Sequence, residues 1–98
     1  MFEIRQGAQG EIVLDGRLDA AQCEKALAFL DGVAEPHVID FAGLQYISSA
    51  GLGVLLKTQK RAMARGRGLR LVNVNGHIND IFKYAGFDRI FEIVRSGS

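Results

Sequence analysis

The chain has 98 residues, 48% of them hydrophobic and 23% charged, and a net charge of +1. That length allows one domain with one modest core. The composition argues against a disordered chain. The charge argues against a protein that grips nucleic acid by net electrostatics, so no direct nucleic-acid contact is expected.

Cys23 is the single cysteine, so no internal disulfide is possible and a reducing compartment suits the chain. Met1 to Arg5 carries charges where a signal peptide needs an apolar run. No stretch approaches the roughly 18 apolar residues that span a bilayer. The expectation is a soluble, cytoplasmic protein without membrane insertion.

Phe2 to Arg5 alternates apolar and polar residues, and Glu11 to Leu14 follows after turn-forming residues. These two segments predict a β-hairpin, with Gly16 breaking the second strand. Asp19 reads as the N-cap of a first helix, with Gln22 completing a capping box. Cys23, Ala26, Leu27 and Leu30 form its apolar face, and Gly32 suits a left-handed cap at its end. Val38 to Phe41 predicts a short central strand, with a turn at Gly43. Leu52, Leu55, Leu56, Gln59, Ala62 and Met63 are the predicted inward face of a second helix, ended by Gly66-Arg67-Gly68. Leu69 to Val74 is a strand. Asn75 caps a third helix striped by Ile78, Ile81, Phe82 and Ala85, with Gly86 at its C-terminal cap. Ile90 to Val94 completes the pattern as a last strand. Residues 96–98 are expected to be a loose tail beyond a domain of residues 1–95.

Strands alternating with helices predict an α/β domain: a mixed sheet of four to five strands, flanked by about three to four helices. Charge is uneven along it. Residues 1–40 hold eight acids and three bases, whereas residues 41–79 hold six bases and no acid. The basic block favours the end of the second helix and can also steer an acidic partner.

Enzymatic chemistry finds little support. Cys23, His37 and His77 are separated singletons without metal-ligand spacing, so no metal and no cofactor are expected. Ser48-Ser49-Ala50-Gly51 joins a strand to a helix but lacks the Gly-x-Ser-x-Gly elbow of hydrolases. Gly51-Leu52-Gly53 lacks the rest of a dinucleotide or phosphate-loop motif. The expectation is a binding module, not an enzyme. The junction itself is unusual. Gly51 and Gly53 each cost up to about 1 kcal/mol in a helix relative to Ala. That cost fits close packing on the sheet or the approach of another molecule. Ser48 and Ser49 compete for the cap, leaving the other hydroxyl beside helix amides that favour negative charge.

The segment from Asp40 to Leu56, DFAGLQYISSAGLGVLL, resembles the signature of STAS domains, in particular the bacterial anti-sigma factor antagonists, or anti-anti-sigma factors. Gly16-Arg17-Leu18-Asp19, Leu69 to Val74 and Phe82 to Phe91 extend the resemblance over nearly the whole chain. The resemblance implies a partner switch in transcription regulation. The unphosphorylated antagonist binds an anti-sigma factor that is also a serine kinase. Phosphorylation separates the pair, and a metal-dependent serine phosphatase resets it. By position it implies Ser49 as the acceptor, with Ser48 as second choice. Partner contacts are implied at Asp19, Ser48, Ser49, Ala50, Gly51, Leu52 and Lys57. The family's usual junction is Asp-Ser-Ser/Thr-Gly, and here Ser48 stands at the Asp position and Ala50 at the third. That departure keeps open a STAS subunit of another assembly that is not phosphorylated, such as a lipid-transport ATPase or a signalling scaffold. The glycines and amides of the junction alone would also allow a nucleotide-binding domain.

Overall fold

The computed structural model describes residues 1–97. Five strands form one sheet in the order β1-β2-β3-β4-β5. They are β1 (Phe2–Gln6), β2 (Ile12–Leu18), β3 (Val38–Ile47), β4 (Arg70–Val74) and β5 (Glu92–Arg95). β1 and β2 make the antiparallel hairpin, and the pairs β2–β3, β3–β4 and β4–β5 are parallel. Three helices supply the crossovers: α1 (Cys23–Asp31), α2 (Ser49–Ala64) and α3 (Gly76–Tyr84).

The sequential strand order explains where the helices lie. Each crossover steps to the next strand in the same direction. Crossovers share one hand, so all three helices fall on the same face of the sheet. A single core results. Ile12, Leu14, Ile39, Phe41 and Leu71 of the sheet are buried with Leu30 of α1, Leu55 of α2 and Phe82 of α3. Phe41 meets Phe82 edge-on with ring centroids 5.5 Å apart, and Phe82 stacks on Phe87 at 5.4 Å. The opposite face of the sheet has no helix over it, and Arg5, Arg17, Ala42 and Asn73 are exposed there.

Several local expectations are corrected. Gly16 does not end β2, which continues to Leu18 through a register shift. Its φ of +90° fits glycine, and a Cβ there would collide with the Met1 carbonyl. Nor is Gly43 a turn. It lies inside a ten-residue β3, where a Cβ would strike the Asp15 carboxylate. Gly32 follows α1 with φ −80°, in the right-handed region. The buried face of α2 is Gly51, Val54, Leu55, Thr58, Gln59 and Ala62, about one position away from the predicted stripe. Leu56 and Met63, expected inside, are 38% and 60% exposed. Ala85 is exposed as well. The last strand starts at Glu92 rather than Ile90, after a 3-10 turn over Phe87–Arg89.

Two expected caps are present. Asn75 Oδ1 accepts the Ile78 amide at 2.9 Å, and Gly86 adopts the left-handed conformation with φ +77°. Of the expected tail, Ser96 donates its amide to the Val74 carbonyl at 3.0 Å, and Ser98 lies outside the described residues. No helix is long and apolar enough to cross a membrane among the described residues.

Candidate functional site at the start of α2

The parallel pair β2–β3 ends at the partners Leu18 and Ile47. The Ser48 amide donates to the Leu18 carbonyl at 2.9 Å, which zips the two strand ends together. The next residues, Asp19 and Ser48, therefore leave the sheet side by side. Both stand at the carboxyl edge of parallel strands, where open α/β sheets present their sites.

Ser48 is extended, with φ −85° and ψ 169°, and its Oγ accepts the Gly51 amide at 3.1 Å. The Leu52 amide closes the first turn on the Ser48 carbonyl at 3.0 Å. Ser48 is thus the N-cap of α2. Ser49 is the first helical residue. It is exposed, and its hydroxyl has no hydrogen-bond partner among the described residues. The amides of Ser49 and Ala50 head the helix, beyond reach of any intrahelical carbonyl. The geometry separates two adjacent serines: one is engaged in the fold and the other is available.

The two glycines separate as well. A Cβ on Gly51 would lie 2.8 Å from Ile47 Cγ1 and 3.0 Å from Leu18 Cγ, so packing of the helix start explains it. A Cβ on Gly53 would meet nothing within 4 Å. Packing within the chain does not explain why a residue unfavourable to helix stands there. Ala50 is exposed, and Leu52 is half-buried against the core. Lys57, two turns along α2, is exposed.

Asp19 departs from expectation. It precedes a 3-10 turn over Ala20–Gln22, not α1 itself, and its side chain makes no capping bond. Its carbonyl accepts the Gln22 amide at 3.1 Å and the Cys23 thiol at 3.3 Å. Its Oδ1 is shut off from solvent with no partner. A carboxylate oxygen in that position is costly unless a donor reaches it.

The basic block is only partly free. The Arg61 guanidinium donates to the carbonyls of Leu30 and Val33 (3.0 Å to the latter), tying α2 to the end of α1. Arg70 pairs with Glu92 at 2.9 Å. Lys57, Lys60, Arg65 and Arg67 remain exposed and form no ion pair among the described residues. His37 is held at the far end of β3 by the Gly68 carbonyl, 2.8 Å away, so the whole length of the strand separates it from Ser49. No cluster of three His, Cys, Asp or Glu residues with metal-binding geometry occurs among the described residues.

One feature beside the junction was missed in the sequence. Arg17 lies over the Tyr46 ring, 4.4 Å from its centroid. The register shift at Gly16–Arg17 makes them partners. A glycine inside a strand pattern is the signal for such a bulge.

Comparison with known proteins agrees with this architecture. The family model described as "Mlab, STAS domain" matches residues 1–95. The chain belongs to the STAS family. It is 35% identical over 79 residues to BtrV of Bordetella bronchiseptica, a protein described as an anti-sigma factor antagonist. That match covers 80% of this chain and 68% of BtrV. An anti-sigma factor antagonist from Mycobacterium paratuberculosis has the same fold, with a TM-score of 0.82 at 17% identity, covering 99% of this chain and 86% of that one. The Bacillus cell fate determinant SpoIIAA, in its phosphorylated form, superposes with a TM-score of 0.65 at 20% identity, over 95% of this chain and 90% of that one. The chain is therefore a single STAS α/β domain in the family of the anti-sigma factor antagonists.

Proposed function

We propose that this chain is an anti-sigma factor antagonist working as a phosphorylation-controlled partner switch, with Ser49 as the acceptor. The observation that carries the reading is the division of labour at the junction. Ser48 Oγ is spent on the Gly51 amide, whereas Ser49 is exposed with its hydroxyl unengaged. A kinase can reach Ser49 without unwinding α2. A phosphate there would add about −1.5 to −2 charges next to helix amides that favour an anion. The fold would persist while the surface changed sign. BtrV's description supports the reading, and so does the fact that SpoIIAA is known in both unphosphorylated and phosphorylated forms.

In this reading the unphosphorylated chain docks on an anti-sigma factor that is itself a serine kinase. A metal-dependent serine phosphatase restores the free hydroxyl. The chain is not an enzyme, needs no cofactor and acts in the cytoplasm. The contact surface comprises Asp19, Ser48, Ser49, Ala50, Gly51, Leu52 and Lys57. Gly53 leaves room for a partner backbone, and the buried Asp19 oxygen awaits a donor. The test is the affinity of the purified chain for a kinase-like anti-sigma factor ATPase from its own organism. Ser49→Asp should weaken binding at least about tenfold, which is 1.4 kcal/mol. Unchanged affinity would refute the switch.

A second reading keeps the surface and drops the phosphate. Ser48 stands where the related junctions carry Asp, and the matching family model is that of Mlab. A STAS subunit of a larger assembly, such as a lipid-transport ATPase, would tolerate Ser49→Ala in the cell. A pull-down would then recover a transporter ATPase in place of a kinase.

A further inference from the structure

Three arginines lie on the uncovered face of the sheet: Arg5, Arg17 and Arg70. Arg5 is paired with Asp15, and Arg70 with Glu92. The Arg17 guanidinium has no carboxylate and no hydrogen-bond acceptor among the described residues, and only the backbone amide of Arg17 is engaged, on the Met1 carbonyl at 2.9 Å. It is exposed, with its guanidinium carbon over the Tyr46 ring, 4.4 Å from the centroid. Stacking uses the face of a guanidinium and leaves the in-plane N–H donors unused. Those donors form a rigid fork that fits an oxyanion.

Two local irregularities put the fork there. Gly16 takes φ +90°, and β3 contributes one residue more than β2 between the partner pairs Gly16–Leu44 and Arg17–Tyr46. The resulting bulge re-aims the strand at its end, a device common beside functional sites. One pair further on, Leu18 meets Ile47, and the chain then enters Asp19 and Ser48. Arg17 precedes Leu18, whose carbonyl accepts the Ser48 amide, and Ser49 follows Ser48, so the backbones of Arg17 and Ser49 are at most about 13 Å apart. An extended arginine and a phosphoserine side chain together bridge that span. No basic residue lies in the first turn of α2, and Arg17 is the nearest unpaired cation along the paired strands that lead into the junction.

We propose that Arg17, held in place by Tyr46, is the group that reads a phosphoryl group on Ser49. This rests on Ser49 being the acceptor. It adds a latch: the pair of phosphate and guanidinium would cover the surface that the unphosphorylated form offers to its partner. Ser48 in place of an aspartate removes a carboxylate that would compete for the guanidinium. Asp19, which leaves the sheet beside Ser48, carries a charge that opposes the pairing and is constant in every variant below.

The test needs no kinase. Phosphoserine is installed at position 49 during translation, and the second pKa of its phosphate is followed by phosphorus NMR. A cation at contact distance favours the dianion, so the pKa should fall by about one unit relative to Arg17→Gln. Arg17→Lys and Tyr46→Ala should each lose at least half of that shift, because the first lacks the fork and the second lacks the platform. All three positions are outside the core, and circular dichroism checks that the variants fold. In a second arm, inorganic phosphate is titrated into the unphosphorylated chain while the Arg17 Nε–H signal is watched. A saturable change at sub-millimolar phosphate would mean that Arg17 reads free anions, which overturns the assignment to Ser49. Equal pKa values in the wild type and Arg17→Gln overturn it too, as does a full shift in Arg17→Lys. Should a kinase prove to ignore Ser49 while the installed phosphate still pairs with Arg17, the acceptor assignment alone would fall.

Discussion

The two ends of α2 are built to different standards. At its far end Gln59, only 6% exposed, accepts the Leu69 amide at 2.7 Å and donates to the Ile90 carbonyl at 2.8 Å. Arg61 there grips the carbonyls that end α1. At its near end Ser49 and Ala50 are exposed, two amides are unpaired and Gly53 has space around it. The Gln59 amide and the Arg61 guanidinium at the far end are used by the fold, whereas the Ser49 hydroxyl and the first helix amides at the near end are left for something else. A surface that recognises a partner gains from mounting on an element whose other end is fixed.

That contrast can be broken by substitution, beginning with the largest effect. Gln59→Ala strands the buried Leu69 amide and the partly buried Ile90 carbonyl, and a buried group left unsatisfied costs about 1–3 kcal/mol. Urea denaturation should show a loss of about 2–4 kcal/mol, with partner affinity unaltered under conditions where the variant remains folded. Gly51→Ala forces a methyl against Ile47 and Leu18. Overpacking costs about 1–3 kcal/mol, offset by the better helix propensity of Ala, so a net loss near 1 kcal/mol is expected by the same method. Ser48→Ala removes the cap and should cost about 1 kcal/mol.

Gly53→Ala sharpens the comparison by going the other way. With nothing near the new methyl, stability should rise by up to about 1 kcal/mol, while partner affinity falls because the open space is filled. A stabilised Gly53→Ala with full affinity would remove Gly53 from the contact surface. Ser49→Ala should be the quietest change, within about 0.5 kcal/mol of wild type. A larger loss would mean that Ser49 serves the fold.

The near end was the more legible in the sequence. The STAS-like motif, the paired serines and the glycines mark it, and local cap chemistry is a short-range property. The far end was misread because periodicity counts apolar residues. Thr58 and Gln59 are buried by satisfying their polar groups, Thr58 on the Val54 carbonyl at 3.0 Å. That turns the buried face by about one position and leaves Leu56 and Met63 outside. Gly16 and Gly43 looked like breaks because single-strand patterns carry no record of the neighbouring strand. Gly16 answers to the Met1 carbonyl and Gly43 to Asp15 of β2, and the register shift beside Gly16 pairs Arg17 with Tyr46. Asp19 was legible as a residue of the junction, but the isolation of its carboxylate oxygen depends on packing around it.

The division between Ser48 and Ser49 is most directly tested by mapping phosphate after incubation with the cognate kinase-like anti-sigma factor and ATP. Stoichiometric phosphate on Ser49, none on Ser48, and no phosphorylation of Ser49→Ala are expected. Phosphate on Ser48, or on neither serine with a kinase that is active on itself or another substrate, would contradict that division.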